Sequence, residues 1–163
     1  ATPVPVFLAA LAPLMLKLAG ERAAGTITWM CDEHTHSSHV LPRLSAAAEA
    51  VGRPTPRVIA GLPVTVCDDI ARGKELAEQK FGMYRHIPNY ARMLELGESG
   101  SPSEVAIIGN EEQVAERLAS YEDSGVTDLA AMTFAVGDDV GERSENAERT
   151  RQLLAKLARK NRN

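Results

Sequence analysis

The sequence predicts an α/β fold built from parallel (β/α) units, and three observations carry that expectation. Four apolar segments recur along the chain, each nearly continuous rather than alternating, as strands covered on both faces read. Helical segments with proline starts and glycine stops separate them. The first strand–turn–helix–strand run, residues 5–31, is by itself one βαβ unit, which requires parallel strands. Right-handed crossovers then leave two architectures, a small doubly wound sheet or a segment of a (β/α)8 barrel. A complete barrel takes about 250 residues. At 163 residues the chain is long enough for about half of one.

In chain order, the strands are expected at Val4–Leu11, Thr26–Met30, Arg57–Cys67 and Thr127–Phe134. The third carries Gly61-Leu62-Pro63, so it should bend or change role there. Helix Pro13–Ala24 has its proline in the first turn and stops at Gly25. A helical segment over Thr35–Val51 aligns Val40, Leu41, Leu44, Ala47, Ala48 and Val51 on one face. Pro42 should kink it or mark its true first turn. A helix from Asp68-Asp69, with Asp68 as N-cap, runs to about Arg85. A short helix reaching Leu96 and a Gly/Ser/Pro loop at Glu98–Ser103 follow, so a helical excursion occupies about 69–103. Asn110-Glu111-Glu112-Gln113 opens a capped helix to Tyr121, and a last helix covers Ser144–Arg159. The simplest organisation is one domain over 1–163.

Composition narrows the function. The formal charge is −4 and aromatics are 4% of the chain, so neither a nucleic-acid surface nor a stacking platform is expected. Apolar runs are too short for a bilayer, which takes about 20 residues. No charged segment precedes the first apolar run. Cys31 and Cys67 read as free thiols of a reducing compartment, hence cytoplasm. The chain opens Ala1-Thr2-Pro3 without methionine, as expected of a processed start or of a segment of something longer.

The turn Ala10-Leu11-Ala12-Pro13-Leu14-Met15 is the first candidate site. Its small residues let a ligand approach the backbone, and the first-turn amides of the helix would donate to a phosphate. A plain strand–helix turn is the bland alternative. There is no Gly-x-Gly-x-x-Gly and no Walker lysine, so a Rossmann or P-loop site is unsupported.

Several stretches together resemble the luciferase-like monooxygenases, in particular the branch that uses the deazaflavin coenzyme F420. That family shows Ala-Leu-Gly-Pro-x-Met-Leu-x-Leu-Ala-Gly-x-x-Ala-Asp-Gly-x-x-x-Trp-Met. This chain has Ala10-Leu-Ala-Pro-Leu-Met-Leu-Lys-Leu-Ala-Gly-Glu-Arg-Ala-Ala-Gly-Thr-Ile-Thr-Trp29-Met30. Ala47–Pro54 is similar to the family's helix end, Arg57–Asp69 to its seventh strand, and Ile107–Leu118 with Asp123–Asp128 to the approach to its eighth. The departures are Ala12 for the usual glycine, which crowds the phosphate position, and Ala24 for the usual aspartate.

The resemblance implies the C-terminal half of a TIM barrel. It implies coenzyme F420, with FMN as alternative, and hydride transfer to or from a small-molecule substrate. It further implies that Ala10–Met15 hold the cofactor's phosphate-bearing tail. The catalytic acid or base belongs to the N-terminal half, so none is assigned here. An open half barrel should pair with that half or with a second copy of itself as a homo-oligomer; as a piece alone it could equally be a non-catalytic scaffold.

The remaining candidates are read against packing roles. Trp29, Met30 and Cys31 end a strand where a barrel mouth would lie, and Phe134 ends another; all four are expected on the pocket wall or in the core. Tyr84 and Tyr90, in a segment similar to the family's Tyr-x-x-x-Pro-x-Tyr, could cover the mouth or pack the excursion, as could Arg92. Asp32-Glu33-His34-Thr35-His36-Ser37-Ser38-His39 raises a third function, a metal-dependent hydrolase using His34, His36 and His39; a polar loop is the simpler expectation. Glu111, Glu112, Glu116 and Arg117 read as a solvated helix face.

Overall fold

The computed structural model describes residues 4–160; the Ala1-Thr2-Pro3 opening lies outside them. Five strands form one sheet: β1 (Phe7–Ala9), β2 (Gly25–Trp29), β3 (Arg57–Val66), β4 (Ile107–Gly109) and β5 (Asp128–Thr133). All the pairings are parallel. Between them run α1 (Pro13–Arg22), α2 (Glu33–Thr35), α3 (Leu41–Glu49), α4 (Ile70–Phe81), α5 (Pro88–Leu96), α6 (Pro102–Val105) and α7 (Glu111–Asp123), with α8 (Val140–Lys160) last. A π-helical turn, His36–Val40, joins α2 to α3, and a 3-10 helix, Gly82–His86, follows α4.

β3 is the hub because its two edges serve different partners. Its even-numbered residues bond toward β5: Thr127 N–H donates to Val58 O at 2.9 Å and Phe134 N–H to Val64 O at 3.2 Å. Its odd-numbered residues bond the other way, Arg57 N–H to Ala24 O at 3.0 Å beside β2 and Cys67 N–H to Gly109 O at 2.8 Å beside β4. Pairing with β2 ends at Trp29↔Gly61, and pairing with β4 begins at Val64↔Ile107. Pro63 falls in the interval, so its missing N–H faces the gap between two partners and costs no ladder bond. The role change expected at Gly61-Leu62-Pro63 is this exchange of partner.

Four expectations are corrected. The first strand is shorter than Val4–Leu11, and β4 is a fifth strand; three residues long, it leaves too little periodicity to read. The Thr35–Val51 helix is divided. Leu41 N–H reaches His36 O, one residue further back than an α-helix would, and Pro42, with no N–H of its own, starts α3 behind that widened turn. Asp69, not Asp68, caps α4, accepting from Arg72 N–H at 2.9 Å. Asp68 instead meets the Arg149 guanidinium at 2.8 and 3.0 Å.

Alternation along β3 separates two faces. Val58, Ala60, Leu62, Val64 and Val66 are fully buried and share one core with Leu16, Leu44, Val114 and Tyr121 of the helices. The opposite face carries Ile59, Gly61 and Pro63, with Ile27 and Trp29 of β2 and Ala130 and Met132 of β5 in register. That face is open, with Ile27 37% and Met132 51% exposed. At the N-terminal end of the sheet Arg57 pairs with Asp128 and lies 5.3 Å over the Phe7 ring, linking β3, β5 and β1.

Among the described residues β1 pairs only with β2, and β5 only with β3, so each has a free edge. Beside the β1 edge, α1 exposes Leu14, Met15 and Leu18. No helix among the described residues is long and apolar enough to cross a membrane.

Candidate functional site

A cavity of about 700 Å³ opens at the C-terminal ends of the strands. Its floor is the open sheet face, Ile27, Trp29, Gly61 and Ala130–Met132; one wall is the turn after β1, and another is the start of α5 at Asn89 and Tyr90. The size lies within the range of about 300–1,000 Å³ typical of small-molecule sites.

The turn wall is built for a donor-seeking ligand. Ala12 is the N-cap of α1 in extended conformation, and it supplies no side-chain cap. The first intrahelical bond runs from Leu16 N–H to Ala12 O at 2.9 Å, so the amides of the preceding turn have no helical acceptor. Pro13 has no N–H, which leaves Leu14 and Met15 as donors in that turn. Of the expected tail-binding residues, Ala10, Leu11, Ala12 and Met15 line the cavity, while Pro13 and Leu14 lie on the exposed side of α1.

Trp29 forms the flat part of the floor because its cross-strand partner is Gly61. A Cβ there would stand 3.0 Å from Trp29 Cε3 and 2.6 Å from Thr28 O, so only glycine admits the ring. Phe81 and Tyr84 pack edge-on against Trp29 at 6.2 and 5.8 Å, and Tyr90 against Tyr84 at 4.9 Å. Among the described residues the buried Trp29 indole N–H has no hydrogen-bond partner.

The other expected wall residues are not part of this cavity's lining. Tyr84 packs between Trp29 and Tyr90 without itself lining the cavity. Phe134 is buried edge-on to Phe81 at 5.6 Å. Met30 is fully buried with a left-handed backbone, φ 56°, where β2 breaks off toward α2. Cys31 is buried, its thiol bonding Trp29 O at 3.6 Å; burial and the nearby Asp32 charge push its ionisation above the ordinary thiol range, which disfavours the thiolate.

The histidine loop does not form a donor set. His36 is fully buried, with Nδ1–H donating to Asp32 O at 2.8 Å and Nε2 facing the Thr28 hydroxyl at 2.9 Å. His39 spends Nε2–H on Leu11 O at 2.9 Å. His34 faces Glu98 at 3.4 Å on the surface. Among the described residues no three His, Cys, Asp or Glu side chains stand together as metal ligands, so these side chains lend the hydrolase reading no support.

Asp32 organises this corner instead. One carboxylate oxygen accepts Thr35 N–H at 2.8 Å and its hydroxyl at 2.7 Å; the other accepts Glu98 N–H at 2.7 Å and Ser99 N–H at 2.9 Å. Beside it Glu33 meets Arg117 Nε at 2.6 Å and the Ser120 hydroxyl at 2.8 Å. Arg117 is therefore a strut between α7 and α2, and Glu111 bonds Arg149 of α8 at 2.6 and 2.7 Å. The face read as solvated is partly an inter-helix network.

Sequence reading missed Asn89 and Ala130–Met132 as lining and His39 as the contact to the turn. Asn89 lay within the quoted Tyr-x-x-x-Pro-x-Tyr stretch and Ala130 and Met132 at alternate strand positions, so both had a signal; the His39 contact spans 28 residues and had none.

Comparison with known proteins accords with this geometry. Residues 1–128 match the model of the luciferase-like monooxygenases. No curated protein matches significantly. Among solved structures the chain is similar to an F420-dependent secondary alcohol dehydrogenase in complex with an F420–acetone adduct. The TM-score is 0.68 at 14% identity, over 91% of this chain and 48% of that one. It is also similar to the coenzyme F420-dependent tetrahydromethanopterin reductase from Methanopyrus kandleri, at TM-score 0.61 and 16% identity over 89% and 48% of the two chains. A third is the oxygenating constituent of 3,6-diketocamphane monooxygenase from Pseudomonas putida, in complex with FMN, at 0.63 and 16% over 93% and 46%. The chain spans about half the length of these structures. At such identities the likeness is one of fold: the parallel βα units here are those of half a TIM barrel.

Proposed function

This chain belongs to the luciferase-like monooxygenase family, and from that premise we propose that it is the C-terminal, cofactor-tail half of an F420-dependent oxidoreductase acting on a small organic substrate. FMN is the second cofactor the same site would take. The observation that carries the reading is the uncapped first turn of α1 at the wall of a cavity of about 700 Å³ over the strand ends. Neighbours in the same fold include enzymes of both cofactors, by their own descriptions.

The residues present suit a flavin-like group. A phosphate finds amide donors and the positive end of a ten-residue helix at Ala12–Met15. A flat ring finds an apolar floor in Ile27, Trp29 and Met132. When bound, the deazaflavin supplies hydride transfer at C5. This chain's part is to anchor the tail, present a planar apolar surface and exclude water. The Ala12 methyl stands where the family has glycine, so the tail is held less closely than in relatives with glycine there.

The free edges of β1 and β5 support a reading in which further strands complete the barrel there. The N-terminal half, or a second copy of this chain, completes the strand ring; only the N-terminal half would bring the catalytic acid or base. The two buried free thiols, Cys31 and Cys67, suit a reducing cytoplasm.

Fluorescence titration of the purified chain with coenzyme F420 and with FMN tests this reading. Saturable binding of F420, tighter than FMN, is expected. Binding of neither would contradict it and leave a non-catalytic half-barrel scaffold as the better account.

A further inference from the structure

We propose that His39 is a positioning residue for the tail-binding turn: its ring holds the Leu11 carbonyl inward, so that the Ala12 amide is turned toward the cavity. This rests on the cofactor-tail reading above. His39 is 4% exposed, and its Nε2 lies 2.9 Å from Leu11 O. A carbonyl only accepts, so the ring proton is on Nε2. The peptide joining Leu11 to Ala12 is planar and trans, with its N–H opposite its C=O. Drawing the carbonyl toward His39 therefore sends the Ala12 N–H the other way. Leu11 and Ala12 both line the cavity, and the outward amide joins those of Leu14 and Met15 as a donor set.

The local structure serves that contact. His39 stands in the π-helical turn His36–Val40, a widened turn of the kind that recurs at functional sites. Its own carbonyl accepts Arg43 Nη1–H at 2.9 Å, which fixes the backbone carrying the ring. Burial, together with the charges of Arg43 and of Arg92 from α5, holds the imidazole neutral below its ordinary range, against the opposing effect of the Leu11 bond. The tether is thus a neutral donor, and the cationic surroundings on that side come from the two arginines. Without it, the Leu11–Ala12 peptide is free to rotate and to present a carbonyl oxygen, which repels phosphate.

Two ligands that differ only in the tail isolate the effect: coenzyme F420 and its phosphate-free deazariboflavin core. Fluorescence titration of the wild-type chain, His39→Leu and His39→Gln gives the ratio of the two affinities for each. Glutamine carries an amide N–H that replaces Nε2–H; leucine does not. The wild type is expected to prefer F420, His39→Leu to lose about tenfold of that preference with the core's affinity unchanged, and His39→Gln to recover most of it. In 1H–15N spectra the Ala12 amide should respond to F420 in the wild type and His39→Gln but not in His39→Leu. A wild-type ratio in folded His39→Leu, or a lost preference in folded His39→Gln, overturns the inference and leaves the cofactor reading standing. A wild-type chain that does not distinguish the two ligands overturns both.

Discussion

The carboxylate of Asp32 accepts a hydrogen bond from the backbone nitrogen of Ser99 at 2.9 Å, across 67 positions of sequence. With the Glu98 bond beside it, this contact fastens the end of the helical excursion to the corner where β2 gives way to α2. Gly97 makes the approach feasible, since a Cβ there would overlap that carboxylate.

Asp32→Asn should therefore destabilise the chain by about 2–4 kcal/mol, because an amide nitrogen would confront backbone donors that have no other acceptor. The side chain is buried, which alone would push its ionisation up; the bonds from Thr35, Ser99 and Glu98 outweigh this and hold it below the ordinary value of 3.8. The unfolded chain then takes up the proton first as pH falls. Asp32's contribution is complete above pH 3.8 and is lost below it, through the lowered native value. Urea unfolding of wild type and Asp32→Asn across that range checks both the size and the sign.

His36 gives a second pH dependence, at higher pH. Burial lowers its proton affinity below the ordinary 6.5, against the raising effect of Asp32 and Glu33. Between 6.5 and the lowered value the unfolded chain binds a proton that the native ring does not. Stability is complete above pH 6.5 and declines below it, by up to about 1.4 kcal/mol per pH unit for each such histidine. His39 shifts in the same direction. His36→Gln should reduce the slope without abolishing it, as denaturation midpoints between pH 5 and 8 would show.

Gly61→Ala tests the floor of the cavity. The added methyl must displace the Thr28 carbonyl or the Trp29 ring, at a cost of about 1–3 kcal/mol. Trp29 is the sole tryptophan, so a change in its emission reports the displacement directly. Unaltered emission with unaltered stability would mean that the ring does not lie over Gly61.

Much of this architecture was legible because it is local. The proline start of α1, the capping box at Asn110 and Gln113 and the apolar run of β3 each declare themselves within a few residues, and the structure has all three. What was hidden depends on partners distant in sequence. β4 is recognisable only by its pairing with Val64–Val66. Arg117 reads as a surface charge until α2 places Glu33 beside it. The three histidines look like ligands because spacing records proximity and not direction; the folded loop sends His36 to Thr28 and His39 to Leu11.

The open sheet face predicts association. Met132→Lys on that face should shift the chain toward monomer in sedimentation velocity, by opposing burial of the exposed apolar floor. Equal sedimentation of variant and wild type at matched concentration would show that the face takes no part in pairing.

The most direct test of the cofactor-tail account is a 1H–15N correlation spectrum of the labelled chain titrated with coenzyme F420. The account predicts saturable shifts at the amides of Ala12, Leu14 and Met15 together with the Trp29 indole N–H. Shifts that leave those four signals unmoved, or saturation without any shift in the α1 turn, would contradict it.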